Sequence, residues 1–158
     1  MKKLYIYVDT SVIGGCEDEE FSAPSLRLWS GFRSGQFLLV ISDLTVQELE
    51  GAPASVRRHL DDIPTGHLTQ IRLTEEVKEL ADAYLAHGVV GPGSLADALH
   101  VALATVNGVD VLVSWNFKHI VNFGRIRLFN AVNLERGYGL IEIRTPREVL
   151  HEGNEQEL

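Results

Sequence analysis

Cysteine and long apolar runs are scarce in this sequence of 158 residues. The single cysteine, Cys16, cannot form an internal disulfide or a cysteine-rich zinc site. No apolar run approaches the roughly 18 residues of a membrane-spanning helix. No apolar segment typical of a signal peptide follows the lysines at positions 2 and 3. These absences argue against secreted and membrane proteins, and we expect a cytoplasmic protein with no membrane partner.

Internal repeats, low-complexity linkers and breaks in composition are also missing, so we expect one domain. Hydrophobic residues make up 45% of the chain and charged residues 23%, which is typical of a folded globular protein. The chain ends in the polar, acidic segment HEGNEQEL. We therefore predict a domain over residues 1–150 and a flexible acidic tail over residues 151–158.

The charge of the chain disfavours nucleic acid as a whole but not locally. The net charge is −8, whereas contacts with phosphate require lysine and arginine. Acidic residues are absent from residues 111–134, however, and Lys118, Arg125 and Arg127 lie in that window. We expect this basic window to attract phosphate despite the negative total charge.

Short apolar runs alternate with helical patterns along the chain. The runs are rich in β-branched and aromatic residues, as in buried strands of a parallel sheet, and lie at residues 4–8, 37–41, 109–113 and 140–143. The helical patterns cover residues 24–35, 43–49, 53–60, 74–88, 94–108 and 125–135, with a last helix from Pro146. Thr74, Ser94 and Thr145 are the predicted N-caps. This alternation predicts an α/β domain with three layers, in which helices cover both faces of a mostly parallel sheet.

Polar residues follow two of the predicted strands where each strand ends. Asp9 follows the first run, and the segment Ser114-Trp115-Asn116 follows the third. Open α/β sheets bind ligands beyond the carboxyl ends of their strands. We therefore predict a functional site at this edge.

Two further acids are candidates for the same site. Glu48 lies on the short helix after the second strand, where an ordinary solvated glutamate is the alternative. Asp97 is the only acid in the apolar segment SLADALHVALA, which predicts a helix buried between layers. A buried carboxylate is costly unless it is paired, hydrogen-bonded or bound to metal. The alternative for Asp97 is a first-turn acid that complements the helix dipole.

Two histidines lie near these segments. We interpret His100, three residues after Asp97, as a core histidine and assign it no chemistry, with a ligand or a proton shuttle as the alternative. His119, beside Lys118, is a candidate for contact with phosphate, with a plain surface histidine as the alternative.

Carboxylates that converge at one sheet edge repel one another unless a cation neutralises them. Oxygen ligands without cysteine or paired histidines favour Mg²⁺ or Mn²⁺ over Zn²⁺. A cation of this kind would need only one or two of the carboxylates, which leaves the remaining acid to orient a water. Such a site suits attack on a phosphodiester.

The sequence resembles the PIN-domain family, the nuclease fold of VapC-type toxins in toxin–antitoxin pairs. The resemblance rests on four segments in the order of the family: YVDTSVIGG, LTVQELE, SLADALHVALA and VLVSWNFKHIVN. It extends from the first strand to IEIRTPREV near residue 149. It implies a Rossmann-like α/β/α fold and metal-dependent cleavage of RNA by a cluster of acids.

By position, the resemblance implies that Asp9, Glu48, Asp97 and Asn116 are catalytic, with Asp9 and Asp97 as the metal ligands. Thr10 or Ser11 would support Asp9 or a phosphate. Many members carry a further aspartate where this chain has Asn116, which keeps an oxygen but removes a charge. Three carboxylates and an amide favour one tightly bound metal over two.

The leading hypothesis is therefore an endoribonuclease for single-stranded RNA, dependent on Mg²⁺ or Mn²⁺ and acting as the toxin of a toxin–antitoxin pair. Lys118, Arg125 and Arg127 would hold the RNA backbone. The resemblance also implies an antitoxin partner and a homodimer. A partner groove lined by residues 21, 28, 29 and 32 is one interpretation of that apolar helical stripe, and packing on the sheet is the other.

Two alternatives come from other classes. The first is a degenerate PIN-fold module that binds RNA or a protein without cutting, which the presence of Asn116 and the acidic total charge favour. The second is a phosphatase of the haloacid dehalogenase type, which also places an aspartate after its first strand. That chemistry requires a second aspartate two residues later, and Ser11 stands there.

Overall fold

The computed structural model describes residues 2–157, and the side chains among them through His151. Its centre is a sheet of five parallel strands in the order β3-β2-β1-β4-β5. The strands are β1 (Tyr5–Val8), β2 (Leu38–Ser42), β3 (Leu68–Ile71), β4 (Val111–Val113) and β5 (Ile143–Arg144). The predicted mostly parallel sheet is thus confirmed.

Eight α-helices connect and flank these strands in the described part of the chain. They are α1 (Thr10–Gly15), α2 (Ser22–Ser34), α3 (Asp43–Leu49), α4 (Ala54–Asp61), α5 (Glu75–Ala86), α6 (Leu95–Val106), α7 (Phe123–Glu135) and α8 (Pro146–Glu157). Single 3₁₀ turns at Thr65–His67 and Pro92–Ser94 precede β3 and α6. Among the described residues, no helix has the length and apolar character needed to cross a bilayer.

Two separate apolar cores lie on the two faces of the sheet. Successive residues of a strand point to opposite faces, so that Tyr7 joins one core while Ile6 and Val8 join the other. Helices α5, α6 and α7 cover the Tyr7 face, and α1, α2 and α4 cover the other face. The three-layer α/β architecture predicted from the alternating pattern is confirmed.

The order of the strands determines where a site can form. From β1 in the centre, the chain builds β2 and β3 on one side and β4 and β5 on the other. The carboxyl ends of β1 and β4 therefore flank a crevice at which the strand order reverses, the usual ligand position in such sheets. Asp9 directly follows β1, and Ser114 directly follows β4.

Several local expectations need correction. Strand β3 and helix α1 were not predicted, and Ser94 ends a 3₁₀ turn and does not cap α6 with its side chain. Thr74, by contrast, accepts a hydrogen bond from the Val77 N–H, as a cap should. The predicted tail over residues 151–158 falls mostly on α8, and its side chains after His151 lie outside the described residues, so its flexibility stays a prediction.

The apolar stripe of α2 is part of the core. Leu28, Trp29 and Phe32 are fully buried against the sheet, and only Phe21 is partly exposed. A partner groove on this stripe is therefore excluded, because its residues already pack against the strands.

Candidate active site

The three predicted acids lie around one imidazole at the carboxyl edge of the sheet. Asp9 ends β1, Glu48 lies on α3 and Asp97 lies in the first turn of α6. His100 hydrogen-bonds to Glu48, and its charge lowers the pKa of both Asp9 and Asp97. Segments that are far apart in the sequence are thus brought together where the strand order reverses.

Asp9 is the most buried of the three, with 4% of its surface exposed. Its two oxygens accept hydrogen bonds from hydroxyl groups, at 2.5 Å from Ser11 Oγ and at 2.6 Å from Ser114 Oγ. Burial raises the pKa of Asp9 above its ordinary value of 3.8, while His100 and the two hydroxyls offset part of that rise. Asp9 is therefore a carboxylate whose negative charge is only partly compensated.

Glu48 accepts two hydrogen bonds on the same oxygen. Thr10 Oγ1 lies 2.8 Å and His100 Nε2 lies 2.6 Å from Glu48 Oε1. Burial raises the pKa of the Glu48 carboxyl, but the hydrogen bond and charge of His100 and the hydrogen bond from Thr10 outweigh it. The net pKa of Glu48 lies below its ordinary value, so Glu48 is held ionised.

Asp97 is half-buried and contacts the segment that follows β4. Asn116 Nδ2 donates to Asp97 Oδ1 at 3.0 Å, and Asn116 Oδ1 accepts from the His119 backbone N–H at 2.9 Å. Burial raises the pKa of Asp97; the charge of His119 opposes this rise and the charge of Asp9 adds to it. The amide of Asn116 thus supports Asp97 with its nitrogen, while its oxygen orders the following loop.

The predicted substrate-binding residues fall into two groups. Thr10 and Ser11 hold the carboxylates of Glu48 and Asp9, and the exposed Lys118 lies in the loop after Asn116. His119 is half-buried in the same loop, and its Nδ1 has no hydrogen-bond partner in the described part of the chain.

The two arginines of the basic window lie on α7 and make other contacts. The guanidinium of Arg125 donates to the Val89 carbonyl oxygen. That of Arg127 lies 5.7 Å from the centre of the Phe123 ring. Lys118 and His119, by contrast, follow Asn116 directly in the loop after β4.

An aromatic cluster adjoins the acids and was not predicted. Phe21 stacks on Trp115 at 4.3 Å between ring centres, and Arg147 lies 5.1 Å above the Trp115 ring. Phe117 is tilted against both rings and leaves 49% of its surface exposed, directly after Asn116. The signal for it was the aromatic spacing in the segment SWNF.

Two supporting residues were also missed. Ser114 binds Asp9, and its position after the third apolar run was the available signal. His100, expected to be a satisfied core histidine, is indeed buried but hydrogen-bonds to an acid of the site.

A hard divalent cation would find few ligands at this site. Within the described residues, no three His, Cys, Asp or Glu side chains form a group that could hold a metal ion. Asp9 and Asp97 lie close enough for the charge of Asp9 to raise the pKa of Asp97. Since a hard divalent cation such as Mg²⁺ keeps several waters and needs only one or two carboxylates, Asp9 and Asp97 are the residues that could hold one.

A known protein family matches most of this chain. The family model of the PIN domain matches residues 6–118. No curated protein matches the chain significantly in sequence.

Several solved structures share this fold at low sequence identity. VapC20 of Mycobacterium tuberculosis, described as a toxin that cleaves the sarcin–ricin loop, superposes with a TM-score of 0.56 at 16% identity, covering 87% of this chain and 98% of that one. VapBC2 of Rickettsia felis, bound to a promoter DNA fragment, gives 0.55 at 12% identity over 90% and 98%. FitAcB of Neisseria gonorrhoeae gives 0.56 at 14% identity over 89% and 97%.

Proposed function

The chain belongs to the PIN domain family, and from this premise we propose that it is a metal-dependent endoribonuclease for single-stranded RNA. The observation that supports this proposal most is the convergence of Asp9, Glu48 and Asp97 around His100 at the reversal point of the sheet. The sarcin–ricin loop cleavage attributed to VapC20, which shares the fold, is consistent with RNA as the substrate.

Asp9 and Asp97 would hold Mg²⁺ or Mn²⁺, which when bound supplies charge to polarise the phosphoryl group and acidifies a water. Ser11 and Ser114 keep Asp9 in place through their two short hydrogen bonds. Asn116 does the same for Asp97. The chain itself therefore contributes two oriented carboxylates to the cation.

Glu48 is the residue we assign to the attacking water. Its Oε1 is occupied by Thr10 and His100, and in the described residues no group hydrogen-bonds to Oε2. Because Glu48 is ionised, Oε2 can accept a proton from the water as its oxygen attacks phosphorus. The P–O3′ bond then breaks, the leaving 3′ oxygen takes up a proton from solvent, and Glu48 returns its proton to solvent. The products carry 5′-phosphate and 3′-hydroxyl ends.

The RNA would approach over the loop that follows β4. Lys118 is exposed there and is positioned to contact backbone phosphate, with His119 beside it. The exposed ring of Phe117 offers a face on which a base can stack. Arg127 is exposed on α7 and extends the positive charge, whereas Arg125 already binds the Val89 carbonyl. A requirement for unpaired bases that can stack favours single-stranded RNA.

We further propose that the protein is the toxin of a toxin–antitoxin pair and pairs with an antitoxin. The support is that VapC20 is described as a toxin and shares this fold over nearly its whole length, as VapBC2 and FitAcB do. A homodimer and a cytoplasmic location remain predictions that go with this role. Co-expression with the protein encoded by the adjacent gene, followed by co-purification, would test the partner.

The test of the nuclease function is cleavage of a pooled single-stranded RNA with Mn²⁺, with and without EDTA. We expect cleavage by the wild type, loss of cleavage in EDTA, and no cleavage by Asp97→Asn with an unchanged circular dichroism spectrum. Cleavage that persists in EDTA, or in Asp97→Asn, would contradict the proposal.

A non-catalytic PIN module is the second candidate. It is favoured by the same observation that limits the metal site, namely that no group of three suitable side chains is found in the described residues. Such a module would show no heat of Mn²⁺ binding in calorimetry for either the wild type or Asp97→Asn. It would also bind RNA without cutting it.

A further inference from the structure

A buried chain of hydrogen bonds leads from Glu48 into the core. Glu48 Oε1 lies 2.6 Å from His100 Nε2, and His100 Nδ1 lies 2.7 Å from the Tyr7 hydroxyl. The Tyr7 hydroxyl lies 2.8 Å from Ser42 Oγ. Tyr7 and Ser42 are fully buried, and His100 is 3% exposed. Side chains of β1, β2, α3 and α6 are thus linked in one network.

The ionised carboxylate of Glu48 determines which atom is the donor in its hydrogen bond with His100. An ionised carboxylate only accepts hydrogen bonds, so His100 Nε2 must carry the proton and donate it. The other ring nitrogen of His100, Nδ1, hydrogen-bonds to the Tyr7 hydroxyl. Ser42 Oγ accepts from the Thr45 backbone N–H at 3.2 Å and also hydrogen-bonds to the Tyr7 hydroxyl. Each hydrogen bond polarises the next, and the chain ends on Glu48.

Packing alone does not explain the polar side chains of this network. Burying polar side chains costs free energy unless each one is hydrogen-bonded, and an apolar side chain would fill the same volume without that cost. Here the aligned polar side chains terminate on a carboxylate whose side chain is 33% exposed, on the helix that directly follows β2. The network is therefore arranged to serve a group at the surface of the site.

The contact also fixes the orientation of Glu48. A glutamate side chain has several rotatable bonds, and its ordering on folding or binding is unfavourable in entropy. Thr10 from α1 and His100 from α6 both donate to Oε1, which holds the carboxylate from two sides. The second oxygen, Oε2, is consequently directed away from both donors.

We propose that His100 is a positioning residue that holds Glu48 so that Oε2 faces the attacking water. The inference rests on the proposed nuclease function. His100 lies on the same helix as Asp97, three residues further on. The helix therefore fixes the position of His100, which orients Glu48, relative to Asp97, which would bind the metal. His100 itself touches neither RNA nor metal in this role.

Two substitutions at position 100 separate positioning from packing. The amide of His100→Gln can reach the place of Nε2 and donate to Glu48. The shorter amide of His100→Asn can replace Nδ1 beside Tyr7 but does not reach Glu48. Steady-state cleavage of one fluorescent single-stranded RNA, with Mn²⁺ held constant, gives kcat and KM for the wild type and both variants, and thermal melts report their stability.

We expect His100→Asn to lower kcat by roughly 10–100-fold with little change in KM, as loss of a supporting hydrogen bond typically does. His100→Gln should recover most of that loss. In a Glu48→Ala background, His100→Asn should have no further effect on kcat, because its only functional contact is gone. Equal kcat values for the two variants, or equal losses with and without Glu48, would overturn the positioning role.

Nuclear magnetic resonance of the imidazole nitrogens in the wild type keeps the inference testable if a variant fails to fold. We expect the long-range ¹H–¹⁵N spectrum to show a protonated Nε2 on His100, and an unprotonated Nε2 would overturn the proposal. A wild type that does not cleave RNA overturns the nuclease function and the role of His100 with it. A wild type that cleaves, with His100→Asn equally active, overturns the role of His100 alone.

Discussion

Replacing Ser114 by alanine tests the state of the buried carboxylate at the centre of the site. Ser114 is fully buried, and its hydroxyl donates to Asp9 Oδ2 at 2.6 Å. Ser114 Oγ also accepts a hydrogen bond from the Asn116 backbone N–H at 2.9 Å. Ser114→Ala removes both hydrogen bonds without adding volume, so that it introduces no steric clash.

The size of the effect follows from the charge of the partner. A hydrogen bond to a charged group contributes about 1.5–3 kcal/mol to stability, against about 0.5–1.5 kcal/mol for a neutral pair. The larger range applies at a pH above the raised pKa of Asp9, where its carboxyl is ionised. We therefore expect Ser114→Ala to lower the free energy of unfolding by about 1.5–3 kcal/mol at pH 8.

The effect should shrink as the pH falls. Because burial raises the pKa of Asp9 above 3.8, ionised Asp9 destabilises the fold, a cost absent below pH 3.8 and complete above the folded pKa. Removing the Ser114 hydroxyl raises the folded pKa further and enlarges that cost. The loss caused by Ser114→Ala is thus largest at high pH and declines as the pH drops through the folded pKa of Asp9.

Urea unfolding in EDTA, followed by tryptophan fluorescence from pH 5 to pH 9, measures this dependence. Ser25→Ala is the matched control, since Ser25 is equally buried and accepts a hydrogen bond from the neutral Trp115 Nε1 at 2.8 Å. The loss of unfolding free energy caused by Ser25→Ala should not vary with pH. If the losses of the two variants run in parallel across the range, an ionised Asp9 as the hydrogen-bond partner of Ser114 is refuted.

Three further outcomes are expected. Phe117→Ala should raise KM for RNA roughly tenfold and leave kcat nearly unchanged, because a base–aromatic stack contributes about 1–3 kcal/mol; an unchanged KM contradicts this. Burial raises the pKa of the Cys16 thiol to about 12, so iodoacetamide at pH 8 should label it only on unfolding, and rapid labelling of the folded protein contradicts this. Gly15→Ala should cost about 1–3 kcal/mol in urea unfolding, since its Cβ would lie 2.8 Å from Trp115 Nε1. Gly14→Ala should have no such cost, because an added Cβ at Gly14 would have no atom within 4 Å. Equal losses of stability in the two variants would refute the clash at Gly15.

The strands that could be predicted are the ones with continuous apolar runs. Apolar, β-branched runs mark β1, β2, β4 and β5, and all four form near the expected residues. Strand β3 was missed because it lies at the edge of the sheet, where it pairs only with β2. Its residues Thr69 and Gln70 are exposed, so the run LTQI lacks the continuous apolar character of the others.

The acids of the site could be predicted from position, but their supports could not. Asp9 stands out as a carboxylate at the end of a buried strand, and Asp97 as the only acid in an apolar helix. His100 gives no such signal, because the sequence does not show that Glu48, 52 residues earlier, lies within hydrogen-bond distance. Partners of this kind depend on which helices the sheet brings together.

The distance along the chain between Asp9 and Ser114 has a consequence for biosynthesis. These residues are 105 positions apart, and β4, which pairs with β1 beside the site, lies just before Ser114. At a translation rate of about 5–20 residues per second, the ribosome needs roughly 5–20 s to proceed from one to the other. Asp97 is synthesised late in that interval, and the second hydroxyl partner of Asp9, Ser114, is synthesised only at its end. A nascent chain therefore carries Asp9 long before it can assemble the proposed site.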